Sequence, residues 1–189
     1  MNDQLAAQLA QFYAIDEKHA ALLAEIQSED WDRALDAADR LAEYGAAALP
    51  GLLPLLKSLS DWTRRATTLA LRDIGHDFSV PFLVAAIDDP LNDDIRGSLV
   101  YALQTHDCAH LFLFLFRLAL DRIFEVQNHA YTILFDQEFW FAETDLASAQ
   151  AQLDQYASRT NRDPDSDLLI ADLQDLLNDL CELPVEDKG

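Results

Sequence analysis

The sequence is poor in residues that break regular structure. Its 189 residues include only five glycines and six prolines, while 50% are hydrophobic. This composition argues against wholesale disorder and favours one domain large enough to bury a core. No apolar run approaches the roughly 20 residues that a membrane-spanning helix needs, because Arg117 interrupts the longest one. The amino terminus lacks a basic stretch followed by an apolar one, so no secretory signal is predicted.

Cysteine is also scarce. Cys108 and Cys181 lie far apart in the chain, and neither belongs to a paired-cysteine motif. Two isolated thiols without an export signal are predicted to be reduced and buried as small core residues, and a disulfide between them is disfavoured. This cysteine usage predicts a cytoplasmic location.

Basic residues are few compared with acidic ones. The 13 Lys and Arg residues stand against 34 Asp and Glu residues, which gives a formal net charge of −21. Nucleic acid and anionic membranes are excluded as partners, since both bind through positive patches. A basic protein would be attracted, and its encounter rate would rise at low salt. The alternative, that the acidity only keeps the chain in solution, stays open.

A repeat of about thirty residues is the clearest positive signal. The segment 63–75 has a counterpart at 95–103, a third copy opens at Val126, and a looser one occupies 33–45. The step from Thr63 to Ile95 is 32 residues, and the step from Ile95 to Val126 is 31. Such a period predicts a solenoid in which each unit hides its apolar face by stacking on its neighbours. It favours a protein that binds another macromolecule.

Helix start and stop signals divide the repeats into helix pairs. Asp61 is predicted to cap the first helix of the second repeat, Gly75 to end it, and Ser79 to cap the next helix. The apolar run 111–116 is predicted as a helix that is buried on all sides. The prediction is a single all-α domain, 1–189, with an N-terminal helical cap at 1–28, repeats at 30–157, a polar break at 161–165 and a C-terminal capping helix at 165–183.

The pattern of an aliphatic residue and Arg, then Ala-Leu near the helix end, then Gly, resembles the short variety of HEAT repeat. Residues 63–66, 70–71 and 74–75 are the best match, and the resemblance covers about 30–157. It implies an α-α superhelix of about four antiparallel helix pairs, stacked right-handedly, whose second helices line a concave binding surface. It also implies that Arg64 or Arg65, Arg96 and Arg33 pair with acids, Asp61 and Asp94 foremost, to tie the repeats together.

Two short clusters contain metal-ligand residue types. His106, Asp107 and His110 lie within five residues, and His76 and Asp77 lie one repeat earlier. His106 and His110 could share a helical face, but two ligands do not complete a metal site. We therefore predict turn-capping and packing roles, with no metal or other cofactor. No phosphate-binding glycine loop and no nucleophile motif is present, so no catalytic residue and no enzymatic activity are predicted.

Acidic residues near exposed turns and aromatics are the predicted partner-binding site. Two acid pairs flank a proline turn, and a second group of acids surrounds the aromatic segment 139–141, which resembles a hot spot for a basic partner. The alternative is that these aromatics fill the core between the last repeat and the cap. Arg117, alone on an apolar helix, either faces the groove or is paired internally. The predicted residues are Asp88, Asp89, Asp93, Asp94, Arg117, Asp121, Glu125, Asp136, Glu138, Trp140 and Glu143.

Two functions are compatible with these observations. The first is a non-enzymatic module that binds a basic protein, for example an immunity protein that neutralises a cationic toxin such as a nuclease. The second, allowed by the resemblance to repeat proteins related to phycobilin lyase subunits, is an accessory or lyase-type subunit acting on a pigment-bearing or otherwise modified protein. A plain scaffold is a third possibility.

Overall fold

The computed structural model of the chain describes residues 17–159 and 166–182. Within these residues the regular structure is entirely helical, without a strand, and no helix is long and apolar enough to cross a bilayer. The α-helices are α1 (Glu17–Glu25), α2 (Trp31–Ala42), α3 (Leu49–Leu52), α4 (Asp61–Ile74), α5 (Val80–Ile87), α6 (Arg96–Leu103), α7 (Phe112–Ala119), α8 (Phe124–Asp136), α9 (Glu143–Ala157) and α10 (Ser166–Glu182). Short 3₁₀ helices span Gly45–Ala48, Leu53–Lys57, Asp77–Ser79 and Pro90–Asn92.

The chain divides into two compact units, unit 1 ending at Asp107 and unit 2 beginning at Cys108. In unit 1 the first helices of successive repeats, α2, α4 and α6, pack side by side in chain order. The second helix α5 packs against α6 and against the 3₁₀ helix Leu53–Lys57. Each helix pair therefore stacks on the one before it. The predicted all-α fold of stacked, HEAT-like helix pairs is confirmed.

The predicted N-terminal cap is partly visible. α1 packs on α2, and Leu22 of α1 and Ile26, which follows it, are buried. Residues 1–16 of this predicted cap and the predicted polar break at 161–165 lie outside the described residues.

Two prolines break the second half of the first repeat into short pieces. Pro50 lies in the first turn of α3, and Pro54 lies in the first turn of the 3₁₀ helix that follows. Proline is tolerated at such positions because the first backbone N–H groups of a helix have no intrahelical acceptor. The segment is therefore a succession of single turns, which still buries Leu49, Leu52 and Leu56.

The two ends of α4 test the predicted start and stop residues of this helix. Gly75, with φ of 58°, ends the helix as predicted. The predicted cap Asp61 is wrong, because the helix already includes it. Ser60 has the extended backbone of an N-cap residue, and its side chain accepts a hydrogen bond from the Thr63 N–H. Ser79 does precede α5, but its side chain makes no capping hydrogen bond.

The predicted arginine pairs are confirmed in one case and corrected in another. Arg64 lies 3.6 Å from the Asp94 carboxylate, as the resemblance implies. Arg33 pairs instead with Glu25 of α1, at 3.5 Å. Asp61 forms no ion pair with any residue that the structure describes.

In unit 2, α7 packs against α8 and α9, and α9 packs against α10. The prediction that the run 111–116 is buried on all sides is wrong. Phe112, Leu115 and Phe116 are buried, whereas Leu113 and Phe114 are half-buried. α7 therefore has one inner face, and its other side reaches the surface of the unit.

α10 closes unit 2 with one apolar face and one acidic face. Leu173 and Leu177 are buried, while Asp175 and Asp179 are exposed. Reciprocal amide hydrogen bonds of 2.9 and 3.0 Å join Gln150 of α9 to Gln174 of α10. The Tyr131 hydroxyl of α8 donates to Asp172 of α10 at 3.0 Å.

The two cysteines differ in their surroundings. Both thiols are free, and Cys108 is buried as predicted. The prediction that Cys181 is a core residue is wrong, because it is exposed in the last turn of α10. Cys181 follows the buried Leu177 by four residues and so lies on the same face of α10, but it is at the end of the helix.

Candidate partner-binding site

The four acids predicted between the second and third repeats lie in one turn of unit 1. Asp88 directly follows α5, and Asp89 precedes a 3₁₀ turn, where its Oδ1 accepts a hydrogen bond from the Leu91 N–H at 3.0 Å. Asp93 and Asp94 follow this turn, and both are exposed. The structure therefore brings this half of the predicted acids together in a turn that local hydrogen bonds hold in shape.

Arg64 connects this turn to the one before it. Its Nη1 donates to the carbonyl oxygens of Ser58 and Leu59 at 2.8 and 3.2 Å, and its Nη2 donates to that of Leu91 at 3.1 Å. The side chain is only 4% exposed, and the Asp94 carboxylate lies beside it. Successive inter-repeat turns are therefore adjacent in space, because a single guanidinium binds backbone atoms of both.

Apolar side chains project from these adjacent turns into solvent. Leu59 is 93% exposed, Trp62 is 45% exposed and Leu91 is 40% exposed. The ring of Trp31, at the start of α2, lies 5.0 Å from that of Trp62. We call the surface formed by Trp31, Leu59, Trp62 and Leu91 the turn edge of unit 1.

Leu59 and Leu91 were not predicted as surface residues. Leu91 follows Leu59 by 32 residues, and Ile123 follows Leu91 by the same number, which equals the step from Thr63 to Ile95. The signal in the sequence was an aliphatic residue that recurs at the repeat period within a turn, outside the apolar positions of the helices. In unit 2, Ile123 and its neighbour Phe124 are 40% and 74% exposed.

Four of the five acids predicted in unit 2 lie near the two ends of α8, and the fifth, Glu143, begins α9. Asp121 and Glu125 lie at the start of α8, where Asp121 Oδ1 accepts from the Ile123 N–H at 2.9 Å. Asp136 and Glu138 lie at its other end, about 18 Å away at 1.5 Å per residue. The structure therefore does not place these five predicted acids, Asp121, Glu125, Asp136, Glu138 and Glu143, around one aromatic cluster.

Only one of the three aromatics in the segment 139–141 is exposed. Phe139 and Phe141 are half-buried and both pack on Phe112, with ring centroids 5.9 and 5.8 Å away. Trp140 points away and is 69% exposed, while its N–H donates to the Ala109 carbonyl at 2.8 Å. The two phenylalanines therefore pack against α7, whereas Trp140 keeps Glu138 and Glu143 as exposed neighbours in the chain.

Arg117 lies on the outer side of α7. It is exposed, and its guanidinium carbon lies 5.1 Å from the centroid of the Phe114 ring, in cation–π distance. A cation held over an aromatic ring in this way is a surface feature of unit 2 and not part of its core.

The histidine clusters serve the turns between helices. His76 Nδ1 accepts a hydrogen bond from the Phe78 N–H at 3.2 Å, and Asp77 Oδ1 accepts one from the Asp107 N–H at 2.9 Å. His106 and His110 do not share a helical face, as the sequence suggested, because both lie in the non-helical segment before α7. Within the part of the chain that the structure describes, no three His, Cys, Asp or Glu residues are grouped as metal ligands.

His106 is expected to make stability depend on pH. Burial lowers its pKa below the ordinary value of 6.5, and the Ala102 carbonyl and Asp77 carboxylate oppose this only in part. Its Nδ1–H donates to the Ala102 carbonyl at 2.9 Å, but both the neutral and the charged ring can make this bond, so burial is what favours the neutral ring in the folded state. The unfolded chain binds the proton first as pH falls through 6.5. The free energy of unfolding should then decrease as the pH decreases, by at most about 1.4 kcal/mol per pH unit for this group.

The substitution His106→Asn tests this dependence, because an amide N–H can replace the Nδ1–H but does not titrate. Urea unfolding between about pH 7.5 and 5.5 should show a weaker loss of stability in His106→Asn than in the wild type. His129, whose pKa is also lowered by burial and raised in part by Glu125, contributes equally to both proteins. The exposed His110→Asn is the control. Equal pH slopes in His106→Asn and wild type would contradict the assignment.

Comparison with known proteins agrees with the stacked helix pairs. A family model of HEAT repeats matches residues 20–104, which include α2, α4, α5 and α6. Comparisons with curated proteins and with solved structures gave no match. HEAT repeats generally act as protein-interaction modules and are typically not enzymes, which is consistent with a binding role here. Residues 20–104 are HEAT-like repeats.

Proposed function

We propose that this protein is a binding module that captures a basic protein partner. The observation that carries the proposal is the state of the exposed carboxylates. Asp93, Asp136, Glu138 and Glu143 are all exposed, and none of them forms an ion pair with a residue that the structure describes. A surface with so many uncompensated acids offers a cationic partner favourable contacts that the folded chain does not itself satisfy.

The composition explains why the surface carries so many unpaired carboxylates. With 34 acids and 13 bases, most carboxylates have no base with which to pair inside the chain. Arg64, one of these bases, is nearly buried and binds backbone carbonyls, so it neutralises little of the outer surface. The resulting negative field would steer a basic protein towards the repeats and raise its association rate.

The specific form we propose is an immunity-type inhibitor of a cationic toxin, such as a nuclease. A nuclease that binds nucleic acid presents positive charge around its active site, because phosphate binding requires it. An acidic, stacked-helix surface can cover that site and compete with the nucleic acid. Rapid, charge-steered association suits an inhibitor, since the toxin must be bound before it acts.

Titration of the protein against purified cationic nucleases tests the proposal. We expect binding to at least one of them, with a Kd that rises about tenfold or more from about 0.1 M to about 1 M salt, as the Debye length falls from about 10 Å to about 3 Å. An acidic protein of similar size is the control and should not bind. Nuclease activity should fall in proportion to the complex formed. Binding that is unaffected by salt, or no binding to any cationic member, would contradict the proposal.

A further inference from the structure

We propose that the turn edge of unit 1 binds a basic amphipathic helix of the partner. In this inference, which rests on the proposed function, the apolar face of the helix covers Leu59, Trp62 and Leu91. Its Lys or Arg residues meet the acids of the same turns. The inference names both the place of binding and the kind of segment that is bound.

The turn edge exposes more apolar side-chain surface than is usual for turns. Leu59 is 93% exposed, although leucine is among the residues most often buried. The exposed face of Trp62 lies three residues further along the chain, and Leu91 lies in the adjacent turn. Together they form one patch, and covering such a patch is a common source of binding energy at interfaces.

The patch is held rigid before any partner arrives. Arg64 binds the carbonyl oxygens of Leu59 and Leu91 from one nearly buried guanidinium. The Leu91 N–H is bonded in turn to Asp89, and Ser60 caps α4 beside Leu59. Because the backbone that carries both leucines is fixed, little ordering entropy is lost when a partner binds.

Charge complementarity indicates a basic occupant. Asp61, Asp93 and Asp94 border the patch, and neither Asp61 nor Asp93 forms an ion pair within the described residues. The neighbouring cations are largely engaged, since Arg64 binds carbonyls and Arg65 donates to the Asp94 carbonyl at 2.7 Å. An apolar centre with an acidic border matches an amphipathic helix that has a basic polar face.

The described structure favours a helix over an extended segment. No strand, and therefore no sheet edge, is present in residues 17–159 and 166–182. An extended peptide would find no row of main-chain partners, which is how such peptides bind to sheets. A helix satisfies its own backbone and can bind through side chains alone.

A second exposed apolar patch in unit 1 provides the matched control. Phe78 and Phe82 are 52% and 41% exposed, with ring centroids 5.7 Å apart, on the second-helix side of the repeat. α5 itself, from Val80 to Ile87, contains no charged residue. α5 therefore offers no acid to a basic face, and the acid next to Phe78, Asp77, already accepts a hydrogen bond from the Asp107 N–H.

The probe is a designed peptide of Leu and Lys at helical spacing, and its control replaces every Lys with Glu. The protein carries Trp140→Phe, which leaves Trp31 and Trp62, both on the turn edge, as the remaining tryptophans of the three in the chain. We expect the Leu/Lys peptide to shift tryptophan emission to shorter wavelength, because binding removes Trp62 from water. The Leu/Glu peptide should produce no shift.

Two substitutions locate the binding surface. Leu59→Ser should weaken binding of the Leu/Lys peptide about tenfold, since burial of one leucine contributes that much or more. Phe78→Ser should leave the affinity unchanged. Both side chains are exposed, so both variants should keep the circular dichroism and unfolding midpoint of the parent.

The outcomes separate this inference from the proposed function. Salt-sensitive binding of the Leu/Lys peptide without a change in tryptophan emission would overturn the turn edge as the site. Weaker peptide binding in Phe78→Ser, with unchanged binding in Leu59→Ser, would do the same. Neither outcome would contradict a basic partner. Equal binding of the Leu/Glu peptide would overturn the basic occupant. The nuclease titration tests the proposed function independently of the peptide.

Discussion

The substitution Arg64→Met is expected to lower the free energy of unfolding by about 3 kcal/mol. The guanidinium donates to the carbonyls of Ser58, Leu59 and Leu91, and methionine has a similar length but no donor. Hydrogen bonds from a charged donor contribute about 1.5–3 kcal/mol each, and bonds that share one side chain do not add fully. Because the three carbonyls belong to two successive turns, we expect the loss to loosen the stacking of the second repeat on the third.

One contribution acts in the opposite direction. Arg64 Nε is buried and has no hydrogen-bond acceptor within the described residues, so methionine removes a buried donor that is not satisfied. The Asp94 carboxylate, which is 55% exposed, can be hydrated when its partner is lost. These effects keep the expected cost at about 3 kcal/mol, below the upper end of the 3–5 kcal/mol seen for fully buried ion pairs.

The neighbouring Arg65→Met is the matched control. Arg65 makes one hydrogen bond, to the Asp94 carbonyl, and its side chain is half-buried. Its replacement should cost about 1 kcal/mol or less. Chemical denaturation measures both losses, and hydrogen exchange should report faster opening of α4 in Arg64→Met alone. Equal costs for the two substitutions would show that Arg64 does not hold the turns together.

The sequence predicted those features that local rules determine. The repeat period gave the stacked helix pairs, and Gly75 gave the end of α4, because a left-handed backbone at a helix end strongly favours glycine. The choice of Ser60 over Asp61 as the cap was not predictable in this way. Both residue types cap helices well, and the turn that enters the helix decides which of two neighbours takes the extended backbone.

The candidate site was predicted only in part, for reasons of geometry. Asp121 and Asp136 are close in sequence, but α8 separates them by its whole length. Phe139, Trp140 and Phe141 are adjacent in sequence, but their side chains do not form one cluster. The backbone is extended at Gln137 and at Ala142, and side chains alternate in an extended segment, so the two phenylalanines point inward and the tryptophan outward. The exposure of Leu59 depends on how adjacent turns meet, which a single sequence does not reveal.

The substitution Gly75→Ala is expected to cost about 2–3 kcal/mol of stability. Gly75 has φ of 58°, where an added Cβ costs about 1–2 kcal/mol from backbone strain alone. That Cβ would also lie 3.2 Å from the Thr105 carbonyl oxygen. Thr105 cannot easily yield, because its Oγ1 donates to the Arg72 carbonyl at 2.6 Å and also lies 3.3 Å from the Ala102 carbonyl.

Gly45→Ala separates backbone strain from this contact. Gly45 has almost the same φ, 57°, but a Cβ there would meet nothing within 4 Å, so its cost should be about 1–2 kcal/mol. The excess cost of Gly75→Ala therefore measures the contact between the second and third repeats. In a Thr105→Ala background the turn loses the hydrogen bonds of the Thr105 hydroxyl. The excess cost of Gly75→Ala over Gly45→Ala should then shrink towards zero in a double-mutant cycle. An excess that persists there would mean that the backbone, and not the Thr105 side chain, fixes the distance between these repeats.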